Sequence, residues 1–490
     1  MQKVLTTTQM TYCDSRTIEC GVPSAELMRR VAQAVFDGRV WQGSIAIICG
    51  KGNNGGDGLA LACIMADNGI SPNVYLFGEM SKDGRYYYDV LKSKGFDRIY
   101  SVNECDYDFD VIVDCIFGTG FKGQPKKAYA DVIEKINASR AYKISVDIPS
   151  GLDGDSGRYV TCVKADETIT VQYAKTGLYL NEGKDMTGKL KVIDVGIGLY
   201  TDGVNLVEEQ DVSALFPKRK HNTHKGTFGK SAIFGGCGNY LGAVRLANMG
   251  LCALRSGGGL NVIVTPQSHV NNLLGTVMES TVIGVPDDGG YFIFDMQEID
   301  NALKSVDSLA IGMGMGNRYS ENAKIIEHIV KNYPIDVIID ADGLNSLATN
   351  VEMLKCAKAH IILTPHVKEM SRLCGKSVEE ILDDPIGAAK SFANEYKVTV
   401  LLKGASSVIT DGSDVYMTVN GGAELSKGGS GDTLSGVMLG MLSQGKSPIE
   451  SAYSSAYLTA KVAKDLTEEF SEYGVLPSDV AREICKIITK

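Results

Sequence analysis

Short apolar runs recur along the whole chain, and they limit its fold more than any other feature. "SIAIIC", "NVYLF", "DVIVDCIF" and "YKISVDI" come first, followed later by "KSAIFGG", "LNVIVTP", "SLAIGMG", "DVIIDADG", "HIILTP" and "VTVLLKG". Continuous β-branched runs of this length read as strands buried on both faces, the pattern of a parallel sheet. Helix-length segments such as 58–68 and 125–139 separate them. The expected class is therefore α/β, with helices wrapped over parallel sheets. A chain of 490 residues exceeds one ordinary core and suggests two or three domains. The alternation breaks at 211–226, "DVSALFPKRKHNTHKG", which places one domain at 1–211 and another at 217–490. No residue-level repeat relates the two.

Charge narrows the partners. Up to Asp211 there are 23 basic and 29 acidic residues, net −6, and beyond it 26 and 30, net −4. Neither part carries the cationic stripe that nucleic acid requires. Small anions remain possible ligands, because backbone amides and helix N-termini hold phosphate without net positive charge. The 12 cysteines form no C-x-x-C pair, and several, such as Cys49, Cys115 and Cys252, sit in apolar runs as reduced core thiols do. The opening "MQKVLTTTQMTYCDSRT" has no apolar leader segment, and no stretch approaches the ~18 apolar residues of a membrane span. A soluble cytoplasmic protein, bound neither to membrane nor to nucleic acid, is the expectation.

Two glycine-rich loops carry the chemistry. "GKGNNGGDG", residues 50–58, follows the strand "SIAIICG" and precedes a helix expected to begin near Gly58. Ligands of open α/β sheets sit where strands deliver their carboxyl ends. Glycines there let amides approach a phosphate, although one or two would suffice for a plain strand-to-helix turn. Two further strand ends add acids: Asp114 in "DCIFGTGFKG", then Asp147 and Ser150 in "SVDIPSGLDGDSG". A desolvated aspartate at a strand end holds its proton more tightly and can carry it to a substrate; it can equally cap the next turn.

These three loops, with the opening "QMTYCDSRTIECGVPSAELM", resemble the YjeF N-terminal domain, the NAD(P)H-hydrate epimerase family. The resemblance implies a Rossmann-like three-layer α/β/α domain. It implies that the hydrated dinucleotide lies against Asn53, Asn54, Gly55, Gly56 and Asp57, and against Gly118, Thr119, Gly120, Phe121, Lys122, Gly123 and Gln124. It makes Asp147 the catalytic and substrate-contacting acid. Asn54, Asp114 and Ser150 match the family's potassium ligands; oxygen-only ligands suit a hard cation without choosing potassium over sodium or magnesium.

The second loop, "KGGSGDTLSGVMLGMLSQG", opens an apolar helix with Asp432 just inside it. Amides converging at a helix N-terminus form an anion hole, suited to a transferring phosphoryl group; Asp at such a place is also a common N-cap. His366, in "LTPHVKEM" at a strand end, reads as a ligand contact or an ordinary histidine. Lys403, ending "VTVLL", reads as a phosphate partner or a solvated residue.

Together with "GTFGKSAIFGGCGNYLGAVRLANMGLCALRSGGGL", "GMGMG" and "LLKGASSVITDG", these stretches resemble the ribokinase-like YjeF C-terminal family of ADP- or ATP-dependent NAD(P)H-hydrate dehydratases. That resemblance implies hydrate contacts at Ala243, Gly316, His366 and Asp432, with Asp432 catalytic. Nucleotide contacts fall on Lys403, Gly404, Ala405, Ser406, Ser407 and Gly431. Two departures stand out. Leu425, Ser426 and Lys427 replace the family's Met-Ala-Thr, so that Lys427 is expected to alter nucleotide contact; and Val367 and Lys368 follow the histidine where proline or glycine is frequent.

The combined expectation is a repair enzyme. Its substrates are NADHX and NADPHX, the hydrated forms of NADH and NADPH. One domain interconverts the R and S epimers with the help of K+. The other dehydrates the S form at the expense of ADP or ATP, with Mg2+, through phosphorylation of the hydroxyl and elimination of phosphate. A kinase releasing a stable phosphoester and a non-catalytic binding protein are the rival readings; the presence of Asp114, Asp147 and Asp432 favours catalysis. A homo-oligomer is the family-based expectation.

Overall fold

A computed structural model describes residues 1–251 and 258–488, and it divides into two compact units, Lys3–Val204 and Met1–Gln2 with Asn205–Lys490. Cys252 lies outside the described residues.

The first unit is built on seven strands: β1 (Ile45–Cys49), β2 (Asn73–Leu76), β3 (Ile99–Ser101), β4 (Val111–Cys115), β5 (Tyr142–Val146), β6 (Glu167–Val171) and β7 (Lys189–Ile193). Their order is β3-β2-β1-β4-β5-β6-β7, all parallel. The order reverses direction between β1 and β4, and such a switch point opens a crevice beyond the strand ends. The helices are α1 (Thr7–Glu19), α2 (Ser24–Asp37), α3 (Asn53–Asp67), α4 (Lys82–Ser93) and α5 (Lys127–Ala138). Alternate strand residues sort them into layers. Ile45, Ile47, Cys49, Val111 and Val113 pack with α1 to α4, while Ala46, Ile48 and Ile112 pack with α5. Three layers, α/β/α, result.

The second unit holds β8 (Val204–Leu206), β9 (Lys230–Phe234), β10 (Leu260–Pro266), β11 (Thr281–Val285), β12 (Ser308–Ile311), β13 (Asp336–Ile339), β14 (His360–Leu363), β15 (Thr399–Leu402), β16 (Ser407–Thr410) and β17 (Val415–Thr418). The order is β11-β10-β9-β12-β13-β14-β15-β16-β17-β8. Pairing is parallel from β11 to β15, antiparallel through the β15-β16-β17 meander, and parallel again at β17-β8. Its longer helices are α6 (Leu241–Leu251), α7 (Tyr319–Asn332), α8 (Asp342–Leu347), α9 (Val367–Cys374), α10 (Pro385–Tyr396), α11 (Ser430–Leu442) and α12 (Pro448–Gly474). One face of the sheet packs Ile233, Ile263, Ala310, Ile338 and Ile362 with α6, α11 and α12; α10 packs on β15 and β16.

All ten expected strands are present. The sequence reading passed over β3, β6, β7, β8, β11, β16 and β17, which are short or mix charged, hydroxyl, amide or glycine residues among apolar ones. The units divide between Val204 and Asn205, before the expected domain end at 211, because Asn205 and Leu206 pair with Tyr416 and Met417. The proline and basic cluster at 217–224 form an irregular, exposed stretch. The first glycine loop also differs from expectation. The helix starts at Asn53, not near Gly58, so that "NNGGD" is its first turn. No helix among the described residues is long and apolar enough to cross a membrane, and all their cysteines are free.

Close packing fixes this turn. A methyl group on Gly55 would stand 2.0 Å from the Gly50 carbonyl oxygen, and one on Gly58 would stand 2.8 Å from Cys49 Sγ and 2.9 Å from Cys115 Cβ. Overpacking of this kind costs about 1–3 kcal/mol. Gly58→Ala is expected to lower the urea midpoint of the first unit by the equivalent of that loss; an unchanged midpoint would show that β1 and β4 yield at this point.

Candidate active sites

In the first unit the carboxyl ends of β1, β4 and β5 open into a cavity of about 660 Å3. Asn53, Asn54, Asp57, Gly118, Thr119, Gly120, Phe121, Lys122 and Asp147 line it, together with Asp14 and Lys175. Gly55 and Gly56 lie in the same helical turn, whose N-cap Gly52 offers no side chain to its amides. Those amides are left for a ligand. Gly123 and Gln124 continue the second loop but do not line the cavity.

Asp147 follows β5 in a left-handed conformation, φ 73°, which turns the chain out of the strand. A non-glycine residue held there stores about 1–3 kcal/mol, and its surroundings must hold it. They do: its amide donates to the Ile169 carbonyl at 2.8 Å, and the Thr119 amide donates to its Oδ2 at 3.3 Å. Lys175, wholly buried, places its ammonium against Asp147 Oδ1 and donates at 3.0 Å each to Thr170 Oγ1 and the Val171 carbonyl. A buried lysine and carboxylate each offset the cost of taking the other out of water. Asp57 has no such partner; burial, then the charges of Asp147 and Asp14, push its carboxyl well above the ordinary range.

Asp114 lies near the end of β4. It is fully buried and accepts from Ser145 Oγ (2.8 Å), the Ser150 amide (2.9 Å), Ser150 Oγ (2.5 Å) and the Ile116 amide (3.1 Å). It ties β4 to the loop after β5. Burial raises its pKa against these hydrogen bonds. Next to it, Ser150 Oγ accepts from the Phe117 amide at 2.8 Å, and Asn54 Nδ2 donates to the Phe117 carbonyl at 2.8 Å, which leaves the buried Asn54 Oδ1 without a partner. Asn54, Ser150 and Asp114 are thus brought together around the Phe117 peptide. No cluster of three His, Cys, Asp or Glu suited to a metal exists among the described residues.

In the second unit the strand ends of β13, β14 and β15 meet the N-terminus of α11. Its N-cap, Gly429, has φ 100° and no side-chain cap, and a methyl group there would stand 2.3 Å from Leu246 of α6. Asp340, after β13, is buried. It accepts from Lys403 Nζ at 3.0 Å and Ser435 Oγ at 2.7 Å, and the next residue, Ala341, is left-handed at φ 50°. A methyl group on Gly431 would stand 3.5 Å from Lys403 Nζ, so the bare glycine leaves the ammonium facing the α11 turn.

Asp432 lies in that turn, and burial, then the Asp340 charge, push its pKa up to about 7. His366 caps α9: its Nδ1 accepts from the Glu369 amide at 3.1 Å, while Glu369 Oε2 accepts from the His366 amide at 2.9 Å. The cap fixes the ring with its proton on Nε2. Burial and Lys403 lower its pKa, so the ring is neutral. His366 and Lys403 stand side by side through a parallel bridge. Gly404 and Ala405 are exposed, and Ser406 and Ser407 lead into β16. Gly316 donates its amide to Asp342 at 2.8 Å, and Ala243 lies beside the same loop, because a methyl group on Gly314 would stand 3.3 Å from its Cβ.

Lys427 does not take the place expected of it. Its ammonium donates to the Tyr473 carbonyl at 2.7 Å and to that of Val475, tying the turn before α11 to the end of α12. Val367 opens α9 as an ordinary first helical residue, and Lys368 follows it on the exposed side, so neither departure disturbs the His366 cap.

A family profile described as NAD(P)H-hydrate dehydratase matches residues 231–486, and one described as YjeF-related protein N-terminus matches residues 24–177. The bifunctional NAD(P)H-hydrate repair enzyme of Moorella thermoacetica is 31% identical over 487 residues, spanning 94% of this chain and 91% of that one. The chain belongs to the family of bifunctional NAD(P)H-hydrate repair enzymes. The Escherichia coli member is 30% identical over 487 residues, spanning 96% of this chain and 90% of that one. Among solved structures, the ADP/ATP-dependent NAD(P)H-hydrate dehydratase of Bacillus subtilis, co-crystallised with ATP and Mg2+, is 27% identical with a TM-score of 0.51, covering 59% of this chain and 98% of that one. A ribokinase-like protein of Enterococcus faecalis, 21% identical with a TM-score of 0.51, covers 59% of this chain and 97% of its own. The second unit is ribokinase-like, and the first is the Rossmann-like YjeF N-terminal domain.

Asp14, Lys175 and Asp340 escaped the sequence reading. "DVIIDADG" ends in an acid just as the runs before Asp114 and Asp147 do, so the signal for Asp340 was present; nothing local marks Lys175 as buried. Asp340→Asn removes one negative charge beside Asp432 and the partner that holds Lys403. It is expected to move the Asp432 carboxyl midpoint from near 7 to lower pH, read by carbon-13 titration of the side chain. A midpoint that stays in place would show that burial alone raises it.

Proposed function

We propose that the first unit interconverts the R and S epimers of NADHX and NADPHX, and that the second dehydrates the S form by phosphorylation and elimination. The observation that carries this reading is the pairing, at the bare N-terminus of α11, of a carboxyl with a pKa of about 7 and the Lys403 ammonium beside it. That is a proton acceptor beside a cradle for a phosphoryl group.

In the second unit Asp432 takes the proton of the ring hydroxyl as its oxygen attacks the terminal phosphoryl of ADP or ATP. The amides of Gly428, Gly429 and Gly431, with Lys403, hold the transferring charge, while the Ser430 amide donates to the Lys427 carbonyl at 3.2 Å. Breakage of the C–O bond then releases phosphate, driven by the lone pair of the ring nitrogen. Loss of a proton from the neighbouring carbon restores the dihydronicotinamide. His366 offers its Nε2 proton to the substrate, with Ala243 and Gly316 lining the approach. Gly404, Ala405, Ser406 and Ser407 hold the nucleotide. The carboxylates Asp340, Asp342, Glu369 and Asp432 give this edge a negative excess that suits Mg2+ brought in with the nucleotide phosphates.

In the first unit Asn53 to Asp57 and Gly118 to Lys122 hold the dinucleotide, with Gly123 and Gln124 continuing the second loop beyond the cavity, and Asp147 assists loss and return of the hydroxyl. The orphaned Asn54 Oδ1, with Ser150 Oγ and the buried Asp114 charge, fits a monovalent hard cation such as K+. When bound, the ion would fix the two loops through oxygen contacts. The protein would work in the cytoplasm as a homo-oligomer.

Separate substitutions test the division of labour. Asp432→Asn is expected to lower NADH recovery from the S form by about 10²–10⁴-fold and leave epimerisation intact; Asp147→Asn is expected to do the reverse. Wild-type recovery should rise with pH through about 7, because Asp432 acts as its carboxylate. A stable phosphoester accumulating in the mixture would contradict the elimination step.

A further inference from the structure

The cavity of the first unit holds three carboxyl groups and, deep within it, one paired cation. Asp147 is matched by Lys175. Asp14 and Asp57 have no hydrogen-bond or ion-pair partner among the described residues. Asp14 belongs to α1, where Met10, Thr11 and Asp14 share one stripe at helical spacing and all line the cavity. The start of α1 is pinned over the site: the Thr7 amide and hydroxyl donate to Asp155 at 2.6 and 2.9 Å, and Lys122 donates to the same carboxylate at 2.6 Å. The nearest cation on the helix, Arg16, is spent on Glu19 at 2.6 Å. Asp14 therefore reaches the cavity from a helix while Asp147 reaches it from the end of β5.

Inversion at a carbon bearing a hydroxyl has a requirement that one carboxylate does not meet. The C–O bond breaks on one face and forms again on the other. The departing oxygen needs a proton, and the incoming water must lose one. Asp147, ion-paired to Lys175, is placed to receive a proton. We propose that Asp14 is a second catalytic residue of epimerisation, the proton donor to the departing hydroxyl, working as a pair with Asp147.

This rests on the epimerase reading given above. Asp14 protonates the hydroxyl oxygen, the C–O bond breaks to release water, and the ring nitrogen lone pair forms a C=N double bond. Water then adds to the same carbon from the other face, Asp147 takes its proton, and the electron pair returns to nitrogen. The net change is inverted configuration and one proton moved from Asp14 to Asp147; solvent returns it. The reverse direction uses the same pair with roles exchanged. The charged groups facing Asp14 are Asp147, Lys175 and Asp57, with Lys51 and Lys122 also lining the cavity. Burial first, and the Asp147 charge second, raise the Asp14 pKa, with Lys175 opposing. The shift favours the protonated form that a donor needs.

The test uses the full chain and pure R-NADHX without nucleotide, following the R to S ratio by chromatography across pH. Asp14→Asn is expected to lower kcat by about 10²–10⁴-fold with KM little changed, and to abolish the decline at high pH. Asp14→Glu should restore part of the rate together with that decline. The urea midpoint of the first unit, compared with wild type, reports on whether each variant is folded. An Asp14→Asn protein that keeps its kcat, or keeps the high-pH decline, overturns the proposal. So does a loss of that decline in Asp57→Asn alone. A wild-type protein that leaves R-NADHX unchanged removes the epimerase reading itself, and Asp14 with it.

Discussion

Parallel pairing puts the carboxyl ends of neighbouring strands on one edge of a sheet, and both candidate sites depend on it. Where strand order switches direction, adjacent connections diverge to opposite faces and a crevice remains. In the first unit β1, β4 and β5 deliver the α3 turn, Asp114 and Asp147 to that crevice. In the second, β13, β14 and β15 deliver Asp340, His366 and Lys403 to the foot of α11. Helix N-termini without side-chain caps face both places, so each site offers unpaired amides beside ionisable side chains.

The two units solve the same electrostatic problem in the same way. A buried carboxylate at a strand end is strongly unfavourable alone, and removing one partner of such a pair costs about 3–5 kcal/mol. Asp147 is matched by Lys175 and Asp340 by Lys403. A non-glycine left-handed residue stands at each turn, Asp147 itself in the first and Ala341 in the second. Burial first, and then the charge of the paired acid, raises the pKa of the unpaired acids nearby, Asp57 and Asp14 in one unit and Asp432 in the other, the last to about 7. Each site thus sets an ion-paired carboxyl beside one that holds its proton more tightly.

Much of this was legible in the sequence. Strands buried on both faces announce themselves as continuous apolar runs, and glycine clusters at their ends mark where backbone must come close to a ligand. Edge and meander strands such as β7 and β16, with a lysine or a serine among few apolar residues, carry no such signature. Lys175 and Asp14 were silent for a different reason. Their place depends on contacts from distant elements, and a lysine in "VQYAKTGL" looks the same whether buried or solvated. Asp114 shows the converse: the sequence marked it correctly as special, and its oxygens turn out to be occupied by local donors. Lys427 stood out as a departure from the family's Met-Ala-Thr that would alter nucleotide contact, and long-range geometry ties its ammonium to the end of α12.

The central claim is that bare amide turns at two sheet edges bind different molecules, the hydrated dinucleotide in the first unit and the phosphoryl donor in the second. Hydrogen–deuterium exchange of the full chain, read peptide by peptide with each ligand added separately, tests it most directly. R-NADHX alone should protect residues 53–57 and 118–124, and ADP or ATP with Mg2+ alone should protect 403–407 and 428–432. Ligand-induced protection elsewhere, with these turns exchanging as they do in the free protein, would contradict the account.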